Sequence, residues 1–363
     1  PFLRTDERLT VFNGPMLRKD WMDELALSVP ETIDEWTAVL KQFRDKKGAK
    51  APFSLQSNFF DTSGFLGAYG VRKDFYLSDD KKEILFGQMQ PGYKEFLKKM
   101  NEWYREKLLD NNFTLVDANT LNANMTNGTS GATLSAVGGG MGKWLGLMKS
   151  TNPKYDIVAA PFPVLEKGTV AKFGNKTQVF NGNGVAVTTA CKNVELAARI
   201  LDYGYSEKGH ILYNFGIEGE SFQMENGYPK YKDVVTNNPN GLSMSQALAL
   251  YARAGGAGPF EQDFIYFEQY ASLPQQKNAV EVWKKTNTAQ YDLPQLTLTA
   301  AENKEFTKIM SDIGTYVSEK FVSFINGNDS LDHFDSYVAQ IKNMGIERAI
   351  EIQKQAYERY LKK

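Results

Sequence analysis

Residues 182–220 read GNGVAVTTACKNVELAARILDYGYSEKGHILYNFGIEGE, and this stretch indicates an α/β arrangement. Residues 185–189 alternate β-branched and small side chains after a glycine-rich turn, which predicts a short strand. Asn193 then stands at the N-cap position of an amphipathic helix. The apolar face of this predicted helix carries Val194, Leu196, Ala197, Ile200 and Leu201.

A second helix follows almost at once. Gly204 comes after the last periodic residue of the first helix, where we expect the left-handed backbone conformation that ends many helices. Ser206 is the predicted N-cap of a shorter helix, which ends at Gly216. The order of strand, helix, tight turn and helix is unusual enough to indicate a particular family.

Motifs in this stretch and at both ends of the chain carry a family resemblance. Residues 205–209 read YSEKG, residues 216–219 read GIEG, and residues 17–27 read LRKDWMDELAL. The tail from Tyr316 to Tyr360 supplies the last match. In order and content these motifs resemble the extracellular solute-binding proteins, family 1, of bacterial ABC importers. The resemblance is to the oligosaccharide-type subgroup, which has aldouronate-type and multiple-sugar-type members.

The resemblance implies a periplasmic-binding-protein-like α/β fold with two lobes and a helical C-terminal third. Crossing strands near residues 9–18 and 183–189 would join the lobes, and an oligosaccharide would bind between them. Residues 1–18 would be a crossing strand from an incomplete N-terminal lobe, and residues 19–182 the first part of the C-terminal lobe. Residues 183–245 would hold the return strand and more of the N-terminal lobe, and residues 246–363 the helical second part of the C-terminal lobe.

Composition agrees with a two-lobed binding protein. A chain of 363 residues is longer than the usual single domain. Its 42 basic and 43 acidic residues balance, so the net charge gives no general attraction for nucleic acid or anionic membranes. Cys191 is the single cysteine, which excludes an internal disulfide.

The sequence starts at Pro1, without an initiator methionine or signal peptide. Members of the family carry a further N-terminal portion, which holds the first strands of one lobe and a lipidated cysteine. By resemblance we expect the full-length form to be a monomeric lipoprotein, tethered at the cell surface or periplasmic. Its partners would be an oligosaccharide and the transmembrane subunits of an ABC permease, and no nucleic acid.

Sugars bind to flat aromatic surfaces and to polar side chains, so aromatic residues outside regular helical periods are candidates for ligand contact. The glycine-rich turn at 138–142 lacks the spacing of a phosphate loop, because Trp144 follows Lys143. The family places such a loop at the ligand, and the alternative is that Trp144 packs in the core. The predicted ligand-binding residues are Asn58, Phe59, Phe60, Tyr69, Gly139, Met141, Trp144, Phe260 and Phe264.

Catalytic and metal sites have few candidates. His210 and His333 are the only histidines, and Asp332, His333 and Asp335 are explained better as residues at a helix start. The segment 44–48 reads RDKKG, with one acid among cations, so we predict no metal and no cofactor. We therefore predict a protein that is not an enzyme. The alternatives are a ligand-sensing lipoprotein, a carrier of another solute such as a peptide, and a glycoside-active enzyme.

Overall fold

A computed structural model of the protein describes residues 1–57, 63–180, 184–253 and 258–362. The fold is mixed α/β, with short strands and many helices. Within those ranges, no helix combines the length and the apolar character that crossing a membrane requires.

The strands, in chain order, are β1 (Phe2–Leu3), β2 (Asn13–Arg18), β3 (Phe75–Leu77), β4 (Ile84–Phe86), β5 (Ala132–Ala136), β6 (Ile157–Ala159), β7 (Phe222–Glu225), β8 (Tyr228–Tyr231) and β9 (Phe260–Glu261). The helices are α1 (Lys19–Glu24), α2 (Ile33–Lys47), α3 (Ser63–Leu66), α4 (Pro91–Arg105), α5 (Ala118–Thr126), α6 (Lys143–Met148), α7 (Val194–Tyr203), α8 (Glu207–Phe215), α9 (Asp233–Thr236), α10 (Met244–Leu248), α11 (Phe264–Tyr270), α12 (Pro274–Trp283), α13 (Ala300–Asn326), α14 (Phe334–Asn343) and α15 (Ile346–Leu361).

The chain forms two compact units, each built from three segments. Unit 1 comprises Pro1–Asn13, Ala136–Tyr155 and Lys176–Glu281, and unit 2 comprises Gly14–Ser135, Asp156–Asn175 and Val282–Lys363. These segments differ from the predicted ones, since residues 246–281 belong to unit 1 and not with the C-terminal helices. One boundary between the units, after Asn13, falls inside the predicted crossing at 9–18, whereas none falls within 183–189. The assignment of segments to lobes stays a prediction.

Unit 2 is built on a sheet of order β5-β2-β6 with helices packed against it. β2 and β6 are antiparallel, with Leu17 opposite Val158. Gly14 of β2 has no room for a side chain, because a Cβ there would lie 2.6 Å from the indole of Trp283. That indole donates from Nε1 to the carbonyl oxygens of Pro15 and Ala160, both at 3.1 Å. The Trp283 side chain therefore packs on β2 and holds Pro15 of β2 and Ala160, which follows β6, through hydrogen bonds.

An aromatic cluster forms the centre of the unit 2 core. Trp36, Phe53, Phe65 and Trp103 are buried and meet edge to face, with ring centroids 4.8–6.2 Å apart. Trp103 Nε1 donates to Thr37 Oγ1 at 2.9 Å, so its one polar atom is satisfied inside the core. Burial of such large rings is a major favourable contribution to the stability of a domain.

In the sequence, the spacing of Thr32 with Glu35 and of Thr299 with Glu302 predicts capping boxes at two helix starts, and Gly327 is the predicted end of the second helix. Thr32 with Glu35, and Thr299 with Glu302, form reciprocal capping boxes at the starts of α2 and α13. Gly327 adopts the left-handed conformation at the end of α13, with φ of 81°. The predictions of these helix starts and of the α13 end are confirmed.

The spacing of apolar side chains predicts a helix over residues 91–109 with Tyr104 and Leu108 on its buried side, but the observed helix is shorter. α4 ends at Arg105, and Lys107 then takes a positive φ of 57°, which turns the chain. Trp103 is buried in place of the predicted Tyr104, which is only partly covered. Leu108 is buried as predicted, but it lies beyond the helix.

The dipeptide Asn226-Gly227 predicts a hairpin turn, and in unit 1 the hairpin β7–β8 turns there. Both turn residues have positive φ, 53° and 81°, which is the conformation that such a two-residue hairpin turn requires. A second pair, β1 and β9, is parallel and places Phe2 beside Phe260.

The stretch 182–220 matches its prediction only in part. α7 and α8 form with Asn193 and Ser206 as N-caps, which confirms both helices. The predicted strand at 185–189 is wrong, because the described residues 184–188 have neither strand structure nor buried side chains. Gly204 is not left-handed, since its φ is −63°. It is needed for space, because a Cβ there would lie 2.0 Å from the carbonyl oxygen of Pro259.

Candidate ligand-binding site

A cavity of about 620 Å³ lies within unit 1. The N-terminal segment, the glycine-rich turn after β5, the α10 region and the α11 region all contribute to its wall. The lining residues are Arg4, Leu9, Phe12, Ala136, Val137, Gly138, Gly139, Ser245, Leu248, Ala249, Ala252, Arg253, Gln262, Tyr266, Phe267 and Tyr270. The volume falls within the usual range for small-molecule sites.

The glycine-rich turn forms a single π-helical turn, Val137–Gly142, between β5 and α6. The Val137 amide donates to Phe12 O at 2.8 Å, and Gln276 Nε2 donates to Val137 O at 2.9 Å. Gly138 must be glycine, because a Cβ there would lie 1.8 Å from the Tyr270 ring. These contacts fix the backbone of the turn at the cavity wall.

Gly139 is the exposed residue of that turn. A Cβ built on it meets no atom of a described residue within 4 Å, and Gly139 lines the cavity. A ligand can therefore approach the backbone of the turn closely at this position.

Two stacked tyrosines from α11 also line the cavity. The Tyr266 and Tyr270 rings are 5.4 Å apart and nearly parallel, at 21°. Burial raises the pKa of both phenols, so each stays neutral and keeps a hydroxyl that can donate. The wall thus combines flat apolar surface with hydrogen-bonding groups.

Arg4 brings a positive charge to the cavity. Its guanidinium carbon lies 4.8 Å from the centre of the Phe2 ring and 4.9 Å from that of Phe12. Arg4 Nε donates to Gln262 Oε1 at 2.9 Å, and its backbone amide donates to Val179 O at 2.9 Å. Burial lowers the pKa of Arg4, but a guanidinium stays charged at any physiological pH.

Asn214 of α8 holds the chain on both sides of Gln262. Its side chain donates to Glu261 O at 2.9 Å and accepts from the Asp263 amide at 2.8 Å. Asn214 is fully buried, and the Tyr231 hydroxyl donates to the backbone carbonyl oxygen of Asn214 at 2.6 Å. This clamp sets the position from which Gln262 reaches Arg4.

An ion pair lies beside the clamp. His210 Nε2 is 2.9 Å from Asp263 Oδ2, and this hydrogen bond raises the pKa of His210. Burial opposes the charged form of Asp263, yet the hydrogen bond from His210 keeps the pKa of its carboxyl below the usual value. Asp263 also caps α11 by accepting from the Ile265 amide at 2.7 Å.

Of the predicted ligand-binding residues within the described part of the chain, only Gly139 lines this cavity. Trp144, Met141 and Phe260 are 1%, 0% and 0% exposed, as the core alternative for Trp144 requires. Phe264 is half-buried, with the Arg8 guanidinium carbon 3.3 Å from its ring centre.

The remaining predicted residues lie elsewhere. Tyr69 belongs to unit 2, where it lines a smaller pocket of about 330 Å³ with Asp34, Glu95 and Lys99. Asn58, Phe59 and Phe60 lie outside the described residues. Their roles as ligand contacts stay predictions.

The nine predicted ligand-binding residues do not include Arg4, Gln262, Tyr266 and Tyr270, although Tyr266 ends the aromatic run 260–266 from which two of the nine were taken. The i, i+4 spacing of Tyr266 and Tyr270 on one helix face was a usable signal, because such residues stack over one another. Nothing in the sequence connects Arg4 with Gln262, which are 258 residues apart.

Metal ligands are not grouped in the part of the chain that the structure describes: no three His, Cys, Asp or Glu side chains there could hold an ion together. At the predicted metal-free segment, Asp45 accepts from Arg44 at 2.6 Å. This hydrogen bond lowers the pKa of the Asp45 carboxyl. Metal independence stays a prediction.

Solved structures define the class of fold. The alginate-binding protein AlgQ2, described as lacking calcium ion, superposes with a TM-score of 0.83 at 24% identity, over 99% of this chain and 74% of AlgQ2. An EF-hand mutant of FusA from S. pneumoniae, in complex with fructo-nystose, gives 0.74 at 18% identity, over 98% and 74%. The predicted periplasmic-binding-protein-like fold is confirmed.

The chain belongs to the bacterial extracellular solute-binding protein family, whose model matches residues 1–211. It is 22% identical to the fructooligosaccharide ABC transporter substrate-binding protein FusA of Streptococcus pneumoniae serotype 4, over 95% of this chain and 65% of FusA. It is 19% identical to lipoprotein LipO of Bacillus subtilis, over 65% of this chain and 49% of LipO. The chain thus spans about two thirds and one half of these relatives.

Proposed function

We propose that this chain is the substrate-binding component of an ABC importer, which captures an oligosaccharide and delivers it to membrane permease subunits. Membership of the solute-binding family supports a binding role. FusA, a relative over most of the chain, carries fructooligosaccharide in its name. The proposal includes binding without turnover, an extracellular or periplasmic location, and a monomeric lipoprotein as the full-length form.

The observation that carries the proposal is the chemistry of the unit 1 cavity. Phe12, Tyr266 and Tyr270 offer aromatic surface, while Arg4, Gln262 and Ser245 offer hydrogen-bonding groups on the same wall. A sugar ring has an apolar C–H face and a rim of hydroxyls, so it needs both kinds of surface at once.

Substitution at Gly139 tests the site. Gly139→Ala adds a methyl group at the cavity lining, and no atom of the residues that the structure describes lies within 4 Å of the new Cβ. We expect weaker oligosaccharide binding by calorimetry, a larger loss for Gly139→Leu, and an unchanged melting temperature for Gly139→Ala. Gly146→Ala is the matched control, because Gly146 has an equally open Cβ position on α6 but does not line the cavity.

If the parent, Gly139→Leu and Gly146→Ala bind the oligosaccharide with equal affinity, this cavity is not the binding site. A panel of oligosaccharides that gives no binding at all would refute the proposed function. Product analysis by chromatography on the same mixtures tests turnover, and saturable cleavage would make the protein an enzyme.

A further inference from the structure

We propose that the oligosaccharide carries an anionic group, a carboxylate or sulfate, and that Arg4 and Arg253 bind this group in the unit 1 cavity. The inference rests on the proposed function and names the chemical class of its ligand. The family resemblance leaves the charge of the sugar open, because the subgroup has members of both aldouronate and multiple-sugar type.

Arg4 is a partly buried cation whose hydrogen bonding is incomplete. A guanidinium has five N–H donors, and among the described residues only Nε of Arg4 has a protein acceptor, Gln262 Oε1. The flanking rings of Phe2 and Phe12 contribute cation–π attraction but accept no conventional hydrogen bond. Four donors are therefore available on a side chain that lines the cavity.

Comparison with Arg18 shows what is unusual about Arg4. Arg18 is buried in unit 2, and its Nε donates to Asp20 Oδ1 at 2.8 Å. Within the described residues Arg4 has no such carboxylate partner. Arg4 is only partly buried, so the need for a counter-charge is weaker than at Arg18, but an anion bound in the cavity would pair with Arg4 as Asp20 pairs with Arg18.

Arg253 adds a second cation to the same wall. Its backbone amide donates to Tyr213 O at 2.8 Å, and its guanidinium carbon lies 5.2 Å from the centre of the Tyr213 ring. The side chain is exposed and forms no ion pair with another described residue. It can therefore turn to a ligand without breaking an ion pair, at the cost of its contact with the Tyr213 ring.

The charge of the lining fits an anion. Two arginines line the cavity, and its other polar side chains are serine, glutamine and tyrosine, so the described lining residues carry only positive charge. Planar guanidinium groups bind carboxylate and sulfate through paired hydrogen bonds, and two of them raise the local concentration of anions. A neutral sugar would leave both charges uncompensated.

Calorimetry with matched sugars tests the inference. The probes are tri- and tetrasaccharides of galacturonate, glucuronate and mannuronate, each beside its methyl ester, together with sulfated and neutral oligosaccharides of the same length. We expect at least one acidic probe to bind tenfold or more tightly than its ester or neutral counterpart, and the difference to shrink as salt increases. The uronate and sulfate arms identify which anionic group is preferred.

Variants assign the preference to the two arginines. Arg253→Gln and Arg4→Gln should each reduce the ratio of acidic to neutral affinity several-fold. Arg199→Gln on α7 is the control, because Arg199 pairs with Glu195 at 2.7 Å and lies outside the cavity. Arg253 is exposed, so its variant keeps the test valid even if Arg4→Gln fails to fold.

Each result separates the two proposals. If neutral sugars bind as tightly as acidic ones, the anionic inference is overturned and the oligosaccharide-binding function stands. If the acidic preference survives in both arginine variants, the assignment to this cavity is overturned. If none of the sugars binds, the proposed function fails, and this inference fails with it.

Discussion

Helices α4 and α7 show the same kind of amphipathic pattern but have opposite surroundings. α4, in unit 2, buries Tyr93, Phe96, Leu97, Met100 and Trp103. α7, in unit 1, buries none of its residues, and Val194 and Ile200 are 58% and 57% exposed. Periodicity thus predicts a helix and its apolar face, whereas burial depends on what the rest of the chain places against that face.

The largest expected effect tests this contrast directly. Trp103→Ala should lower the free energy of unfolding by about 3–5 kcal/mol, because it removes a buried ring and leaves a cavity. It also leaves Thr37 Oγ1 without its 2.9 Å hydrogen bond. Chemical denaturation followed by fluorescence and by circular dichroism measures the change.

Ile200→Ala on α7 is the matched control. It removes apolar surface that is already in water, so stability should stay within about 0.5 kcal/mol of the parent. Alanine is also the better helix former. A loss as large as that of Trp103→Ala would mean that the face of α7 is covered in solution, and the contrast would disappear.

Trp144 sharpens the comparison inside unit 1, because it lies on α6 yet is only 1% exposed. Trp144→Ala should therefore cost about 3–5 kcal/mol of stability, as expected for a core residue. A stacking platform for sugar would behave differently, with weaker binding and nearly intact stability. Denaturant melts and calorimetry on one preparation distinguish these roles, and the second pattern would restore Trp144 to the binding site.

Local chemistry accounts for the parts of the fold that the sequence predicted well. The capping boxes at Thr32 and Thr299 and the Asn226-Gly227 hairpin depend on residues within a few positions of one another. Non-local packing accounts for the failures. A strand at 185–189 would need a partner strand. Gly204 is required because the carbonyl oxygen of Pro259, 55 positions away, leaves no room for a side chain.

The candidate site was the least predictable part for the same reason. Its glycine-rich turn was recognisable because glycines at 138–142 are a local feature, and Gly139 does line the cavity. The other lining residues include 4, 262, 266 and 270, which only the folded chain brings together. Aromatic residues outside a helical period, such as Phe260, turned out to be buried between other rings, at 5.1 Å from Phe2 and 5.7 Å from Tyr213.

A smaller effect is expected from pH, at α8 next to α7. The hydrogen bond to Asp263 raises the pKa of His210 above its unfolded value. The charged His210 therefore stabilises the folded state fully below pH ~6.5, and that contribution is lost as pH rises through the folded pKa. The difference in melting temperature between the parent and His210→Gln should therefore decrease as the pH is raised from 6 to 8.5.

The sign of that change is the test. A difference between parent and His210→Gln that stays constant with pH, or grows toward high pH, would show that the pair with Asp263 does not form in solution. Proton NMR of His210 gives an independent measurement, because its titration midpoint should lie above that of His210 in the Asp263→Asn variant.

The smallest expected effect is that of a metal chelator, and it concerns the segment 44–48 at the end of α2. Like α4, α2 buries one apolar face. Asp45 already accepts from Arg44, and Lys47 pairs with Glu24, so the acids nearest to the segment 44–48 have cationic partners within the protein. An ion would have to displace those partners, which also repel it. Treatment with EDTA should therefore leave both the melting temperature and the oligosaccharide affinity unchanged within error. If EDTA lowers the melting temperature or the affinity, and calcium but not magnesium restores it, the protein has a calcium site outside these residues. A metal that binds only the folded state raises the stability of that state.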